Sequence, residues 1–334
     1  MSRYKIAIVG ATGLVGRTFL RVIEEIKPRN CEYTLLASER TAGKKLDFLN
    51  NQYTVELLTK QSMTKGFDIA LFSAGSDVSR NFAPLAAESG CVVIDNSATW
   101  RMSDEVPLVV PEVNPEDAFH NNGIIANPNC STIQAVVALA PIHRKYGIKR
   151  IIYSTYQSVA GAGAAGVEDL ENGIKAHVTG AQYSLKKFDR AIFSNCIPFI
   201  DIPMGDGYSK EEHKMVNETR KILHDTKLNI TATCVRIPVL LGHGESINAE
   251  LKSEYELADI KTLLKSSPGL TVIDDADPGL FPTQLDCCGK NGVYVGRIRR
   301  DSSSSNAVNL WVVADNLRKG AATNAVQIAQ LLIK

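Results

Sequence analysis

Asn127-Pro128-Asn129-Cys130-Ser131-Thr132 stands immediately before a run with helical apolar spacing, which places Cys130 at a helix N-terminus. The exposed N–H groups and the positive end of the helix dipole favour a thiolate there. Such placement lowers a cysteine pKa from about 8.5 into roughly the 3.5–7.5 range. The thiolate is the form that attacks a carbonyl or an acyl phosphate. The same N–H groups, with Asn129, would stabilise a developing oxyanion. Taken alone, the segment reads as a capped helix with Cys130 as small core filler. A second segment, Arg236-Ile237-Pro238-Val239-Leu240-Leu241-Gly242-His243-Gly244-Glu245-Ser246, shifts that balance. It places His243 after a strand and between two glycines, which are expected to leave the imidazole open. Histidine is the natural general base near neutral pH. Arg236, ending the same strand, has the planar fork that holds a carboxylate. His120, His143, His177, His213 and His224 have no comparable surroundings.

Gly10-Ala11-Thr12-Gly13-Leu14-Val15-Gly16 follows a β-branched run, Ile6 to Val9, and opens a helical one. Glycines in a strand–turn–helix unit let the backbone approach a pyrophosphate seated on the helix N-terminus, so the segment predicts dinucleotide binding. The adenosine end is met after the second strand, at Ala37-Ser38-Glu39-Arg40-Thr41-Ala42-Gly43-Lys44-Lys45. An acidic residue there would bind ribose hydroxyls, whereas Ser38, Arg40 and Thr41 together suit a 2′-phosphate. Glu39 pulls the other way if it points inward. The balance favours NADP(H) over NAD. A thiol, an imidazole, a guanidinium and a nicotinamide together describe oxidation or reduction of an aldehyde-level carbon.

These groups need a scaffold, and the 334 residues suggest two domains of ordinary size. In the first part, strands at Ile6–Val9, Tyr33–Ala37, Ile69–Phe72 and Cys91–Ile94 alternate with helices at Leu14–Ile26 and Val78–Ser89. Continuous apolar strands separated by helices predict a parallel, doubly wound Rossmann-type sheet. Beyond Cys130 a helix, Ser131–Tyr146, leads into strands at 150–159, 230–239, 247–255, 293–299 and 308–314. Few helices separate them, which predicts an α+β domain with a mixed or antiparallel sheet. Ser302 to Ser305 reads as a mobile connection. Asn316–Leu332 reads as one amphipathic helix whose apolar stripe returns to the first domain. The expected division is 1–130 with 315–334 for the cofactor domain, and 131–314 for a catalytic and oligomerisation domain.

Lys and Arg total 37 against 36 Asp and Glu, a net charge of +1, which speaks against a general nucleic-acid binder. No apolar run reaches the ~18 residues of a membrane span, and the N-terminal stretch is too short for a signal-peptide core. The seven cysteines are odd in number, scattered, and without a C-x-x-C pair. That argues against a disulfide set or a metal site and for the reducing cytoplasm. Buried packing is the expectation for Cys287 and Cys288.

Five ordered blocks now carry a resemblance. They are Gly10 to Gly16, Asn127 to Thr132, Tyr156-Gln157-Ser158-Val159-Ala160-Gly161-Ala162-Gly163, Arg236 to Ser246, and Ala314-Asp315-Asn316-Leu317-Arg318-Lys319-Gly320-Ala321-Ala322. Together they resemble the aspartate-semialdehyde dehydrogenase family over the whole length. The resemblance implies a reductive dephosphorylation of 4-phospho-L-aspartate to L-aspartate 4-semialdehyde with NADPH, releasing inorganic phosphate. The step belongs to lysine, threonine, methionine and diaminopimelate biosynthesis. It implies Cys130 as the nucleophile that forms an acyl-thioester and His243 as its acid–base partner. Arg236, Gln157, Glu211 and Asn129 would bind substrate, and Arg101 and Lys214 the phosphate. Glu212, adjacent to Glu211, competes for the amine-binding role. Thr12, Gly13, Leu14, Val15, Arg40, Thr41, Ala160, Gly161 and Asn316 match family NADP contacts. Family members are homodimers or homotetramers. Two alternatives stay open: an N-acetyl-γ-glutamyl-phosphate reductase, and a non-catalytic NADP-binding protein in which Cys130 senses oxidants.

Overall fold

The computed structural model describes residues 3–274 and 279–333. The chain divides into two compact units, Met1–Asn129 with Ala321–Lys334, and Cys130–Gly320. In the first, β1 (Tyr4–Val9), α1 (Leu14–Ile26) and β2 (Cys31–Ala37) form the opening β–α–β unit. A hairpin of β3 (Lys45–Phe48) and β4 (Asn51–Thr54) follows, then β5 (Glu56–Leu57) and the short α2 (Lys60–Met63). The unit is completed by β6 (Ile69–Phe72), α3 (Ser76–Glu88), β7 (Val92–Asp95) and β8 (Ile124–Ala126). The main sheet has the order β5-β2-β1-β6-β7-β8, and every pairing in it is parallel. Its strands are apolar on both faces because helices cover both, which is the doubly wound arrangement. Ile6, Ile8, Phe19, Ile23, Leu35, Leu71 and Ile94 form the core with Val326 and Ile328 of the closing helix Thr323–Leu332. Each such side chain contributes about 1.5–3 kcal/mol by leaving water.

The glycines at the first turn have separate physical roles. Gly10 has φ +83°, and a Cβ there would lie 2.3 Å from the Ser73 carbonyl oxygen. A Cβ on Gly16 would lie 2.0 Å from the Gly10 carbonyl oxygen, so helix and strand close only over a hydrogen atom. Gly13 is under no such pressure: its Cβ would clear the nearest atom by 3.4 Å. It is the N-cap of α1, and no side chain caps that helix. Packing demands glycine at 10 and 16, while at 13 it leaves the helix start open.

In the second unit, α4 (Cys130–Tyr146) is buried on nearly all sides because it lies among other helices and the sheet. It leads into β9 (Ile148–Gln157), a 3₁₀ turn at Val159–Ala162, and α5 (Ala164–Thr179). The crossing from α5 to α6 (Lys210–Ile222) is pinned by Asp169, whose carboxylate accepts the N–H groups of Lys186, Lys187 and Phe188 at 2.7–3.0 Å. Next come β10 (Asn229–Arg236), β11 (His243–Leu251), α7 (Leu257–Ser266), β12 (Leu270–Val272), α8 (Gln284–Cys287), β13 (Val293–Arg300) and β14 (Ala307–Ala314). The sheet order is β10-β9-β11-β14-β13-β12, with parallel pairs at both edges and antiparallel pairs between. It is mixed, within the expected fold class.

Several expected boundaries move. The strand expected over 247–255 runs His243–Leu251, and those expected to reach Val159 and Val239 stop at Gln157 and Arg236. The single closing helix expected from Asn316 begins as a π turn at Arg318–Ala322 and becomes α-helical at Thr323. The serine run is tied down, because the Asp301 carboxylate accepts the N–H and hydroxyl of Ser303. Cys287 is buried in a small cluster with Tyr294 and Val313, and burial raises its thiol to about 12 and that of Cys288 to about 11. We expect Gly16→Ala to cost about 1–3 kcal/mol in thermal or urea unfolding through overpacking. Gly13→Ala should cost under about 1 kcal/mol, the ordinary N-cap difference.

Candidate active site

Cys130 is the first residue of α4 and is partly exposed. Its Sγ lies 3.2 Å from His243 Nε2. The imidazole reaches that position because β9 and β11 run antiparallel, bringing the end of one beside the start of the other. There the Ser158 backbone N–H donates to His243 Nδ1 at 3.0 Å. A backbone N–H can only donate, so Nδ1 carries a lone pair and the ring hydrogen sits on Nε2, facing sulfur. Ser158 is held in turn: its hydroxyl donates to Asn316 Oδ1 at 3.1 Å, and the same oxygen accepts the Gly242 N–H at 2.9 Å.

The expectation of an open imidazole after a strand is corrected. His243 begins β11 and is fully buried. Burial first, and then the Arg236 charge, lower its pKa to about 3. The flanking glycines answer to packing instead. A Cβ on Gly244 would come within 2.6 Å of the Trp311 ring, and Gly242 has φ +84° with Gln284 3.0 Å away. Gly161 does serve the site, since a Cβ there would lie 2.8 Å from Arg236 Nη1 and 3.2 Å from His243 Nε2. Gly320 does likewise, at 2.9 Å from the Cys130 Cβ.

Arg236 ends β10 and is buried; Nη1 donates to the Ser158 carbonyl at 2.7 Å. Desolvation lowers its pKa, against the pull of the nearby Glu211 and Cys130 charges. Gln157, its register partner on β9, donates to Glu211 Oε1 at 3.0 Å. The other Glu211 oxygen accepts from Lys214 at 2.9 Å, one helical turn along α6, and Lys214 also donates to Asp201 at 2.8 Å. Burial works against the Lys214 charge, yet Glu211 and Asp201 more than offset it and raise the pKa. Hydrogen bonding distinguishes Glu211 from Glu212. Glu212 accepts the N–H groups of Ser209 and Cys234 at 2.7 and 3.0 Å, so it caps α6 and ties it to β10. Glu211 is left facing Gln157 and Lys214.

The first unit carries the remaining residues. Thr12 of the glycine turn and Thr41 after β2 join hydroxyls at 2.9 Å, which brings the two expected cofactor segments together. Ser38, Glu39 and Arg40 are exposed beside them. An uncapped α1 N-terminus, an unobstructed Gly13 and this hydroxyl pair fit a dinucleotide phosphate. Arg101 is buried after β7 and donates to the Asn96 carbonyl at 3.0 Å. Asn96 accepts from Asn127, which accepts from Asn324, and both contacts are 2.7 Å. This amide chain fixes the segment that ends in Asn129.

Residue spacing did not reveal Ser158 as a partner of His243, nor Asp201, Gln134 or Gly320. Ser158 acts through its backbone, Asp201 lies on an irregular loop, and Gly320 matters only for what packs against it. The matched block 314–322 was the one signal pointing to the last.

Residues 5–120 match the semialdehyde dehydrogenase NAD binding domain, and residues 139–319 match the semialdehyde dehydrogenase dimerisation domain. An aspartate-semialdehyde dehydrogenase of Aquifex aeolicus is 54% identical over 99% of this chain and 98% of its own. One of Bacillus subtilis is 47% identical over 98% and 97%. Among solved structures, aspartate semialdehyde dehydrogenase II of Vibrio cholerae, complexed with ASA, superposes with a TM-score of 0.96 at 47% identity, covering 100% and 99% of the two chains. The Candida albicans enzyme with NADP has a TM-score of 0.77 at 27% identity, covering 98% of each. The chain belongs to the aspartate-semialdehyde dehydrogenase family.

Proposed function

We propose that the chain carries out NADPH-dependent reductive dephosphorylation of 4-phospho-L-aspartate to L-aspartate 4-semialdehyde, with Cys130 as nucleophile. The observation that carries this reading is the Cys130 Sγ–His243 Nε2 contact of 3.2 Å, set beside a buried guanidinium and a buried carboxylate. Arg236 suits the substrate α-carboxylate and Glu211 its ammonium group, with Gln157 steering the Glu211 carboxylate. Lys214 and Arg101 are the cations assigned to phosphate. A relative whose substrate nitrogen is acylated would leave Glu211 facing an uncharged group, which favours the free amino acid over N-acetyl-glutamyl phosphate.

The chemistry begins with a thiolate at the α4 N-terminus, stabilised by the Nε2 hydrogen of His243. Attack of Sγ on the acyl carbon forms the C–S bond and breaks the C–O bond to phosphate, leaving a thioester on Cys130. Bound NADPH supplies the hydride that takes the thioester to the aldehyde level. Collapse of the reduced adduct breaks the C–S bond and returns the thiolate. The oxyanion at each step is within the reach of donors of the kind present here, the Nε2 hydrogen and the α4 N–H groups. A substrate carboxylate on Arg236 cancels part of the charge that depresses His243, so the ring accepts a proton more readily once substrate is bound. The hydroxyls of Ser38 and Thr41 and the guanidinium of Arg40 would hold the cofactor's 2′-phosphate, with Ala160, Gly161 and Asn316 as further cofactor contacts.

We further propose a homodimer formed through the second unit. Exposed Tyr156, Leu240 and Phe281, and a cavity of 440 Å³ lined by Phe281, Pro282 and Trp311, leave apolar surface there. The seven free thiols fit a reducing cytoplasm as its compartment.

In a phosphate-dependent assay, L-aspartate semialdehyde should reduce NADP, and N-acetyl-glutamate semialdehyde should be the poorer substrate; the opposite preference would overturn the assignment. Cys130→Ala should lower the rate by roughly a thousandfold or more while retaining cofactor binding. Preserved turnover in that variant would leave a non-catalytic thiol as the better reading. Arg40→Ala should raise KM for NADPH about tenfold or more and change NADH use little, as steady-state kinetics with both cofactors will show. Light scattering should return the mass of two chains.

A further inference from the structure

Behind the Cys130–His243 pair lies a second pair that the reaction above does not use. Side chains two apart on a strand share a face, and those four apart on a helix lie one turn along the same side. Glu245 therefore sits one rung deeper than His243 on β11, and Gln134 one turn deeper than Cys130 on α4. The register sets Glu245 between Thr155 of β9 and Val312 of β14. Gln134 Nε2 donates to the His243 carbonyl at 3.3 Å and reaches the Val312 carbonyl at 3.5 Å. These two acceptors require the amide nitrogen on their side, which fixes which end of the amide is oxygen.

Glu245 is fully buried, and neither of its oxygens receives a hydrogen bond among the described residues. Gln134 Oε1 is buried and unmatched as well. The carboxyl faces Gln134 from α4 and the Glu211 carboxylate from α6. Cys234 of β10 and Tyr153 of β9 are its remaining titratable neighbours, with His243 on its own strand. It makes no ion pair among the described residues. A buried carboxylate with no cation beside it is costly, whereas a neutral carboxyl brings the one hydrogen this group of acceptors lacks.

We propose that Glu245 is a positioning residue: as the neutral acid it donates its hydrogen to Gln134 Oε1, locking the amide whose nitrogen holds the His243 backbone and so keeps Nε2 on Sγ. Burial outweighs the lowering contact with the Gln134 amide and, reinforced by the Glu211 charge, raises the Glu245 pKa well above the ordinary carboxyl value, in keeping with this state. The catalytic part of the inference rests on the reaction proposed above; the protonation part does not.

The test compares wild type with Glu245→Gln, an isostere that still donates to Oε1, and Glu245→Leu, which does not. In Glu245→Gln, kcat should stay within about threefold of wild type, and the pH profile of iodoacetamide alkylation of Cys130 should be unchanged. Glu245→Leu should lower kcat about tenfold or more with KM within about twofold, and should slow alkylation at pH 7. A Glu245→Leu protein matching wild type in both would overturn the proposal. Since that variant risks misfolding, thermal unfolding of Glu245→Gln supplies an independent arm. A carboxyl protonated in the folded state but ionised above about pH 4.5 in the unfolded chain loses its stabilising contribution as pH rises. The melting temperature of Glu245→Gln should therefore gain on wild type by about 3 °C or more between pH 5 and 8. A gap independent of pH would show an ionised Glu245 and sink the idea. Alkylation and melting need no substrate, so absent activity on aspartate semialdehyde would defeat the proposed function and leave these two arms to judge Glu245.

Discussion

One backbone hydrogen bond orders the chemistry of this protein: the Ser158 N–H donating to His243 Nδ1 at 3.0 Å. It leaves the ring a single place for a hydrogen, Nε2, and that atom faces the Cys130 sulfur. A doubly protonated ring would set two N–H groups against each other in a site without water-like screening. The strongly lowered His243 pKa has the same direction, from burial and from the guanidinium of Arg236. A neutral imidazole that donates to sulfur, in place of an imidazolium, is the resting state this geometry imposes. A neutral histidine acting as a hydrogen-bond donor to developing charge has precedent in other enzymes.

Everything needed to hold that bond in place belongs to the second unit. The Asn316 oxygen joins the Ser158 hydroxyl to the Gly242 N–H, clamping the end of β9 to the start of β11. Glycines at 161 and 320 remove side chains that would collide with Arg236, His243 and Cys130. The charged groups alternate in sign. Arg236, Glu211, Lys214 and Asp201 form a chain in which the buried guanidinium and carboxylate each have an opposite charge beside them, as burial of ions requires. An amino acid bearing both charges can exchange for those internal partners at little electrostatic cost.

The alternation of strands and helices was legible because apolar periodicity is local. α1 was predicted at Leu14–Ile26 and found there, and β6 at Ile69–Phe72 likewise. The prediction failed where local pattern is not what ends an element. β11 begins at His243 rather than Ile247 because its first residues pair with β14 across His243↔Ala314, a partner 71 positions away in the chain. The glycines around His243 were read as access when they are clearance for Trp311 and Gln284. The choice between Glu211 and Glu212 could not be made from spacing, since both fall in the first turn of one helix. The capping box, with Ser209 and Glu212 exchanging hydrogen bonds, is what sets their surroundings apart.

Residue types and their local spacing determined the fold class, the dinucleotide turn and the candidates Cys130, His243 and Arg236, because each depends on neighbours within a few positions. The family resemblance added Gln157, Glu211, Lys214 and Arg101. Tertiary structure alone decided the tautomer of His243, the pairing of Glu211 with Gln157, and the burial of Glu245 against Gln134. Each of these depends on atoms brought together from chain positions tens to more than a hundred residues apart. Hydrogen-bond direction and desolvation are properties of such assembled surroundings, and no one-dimensional pattern carries them.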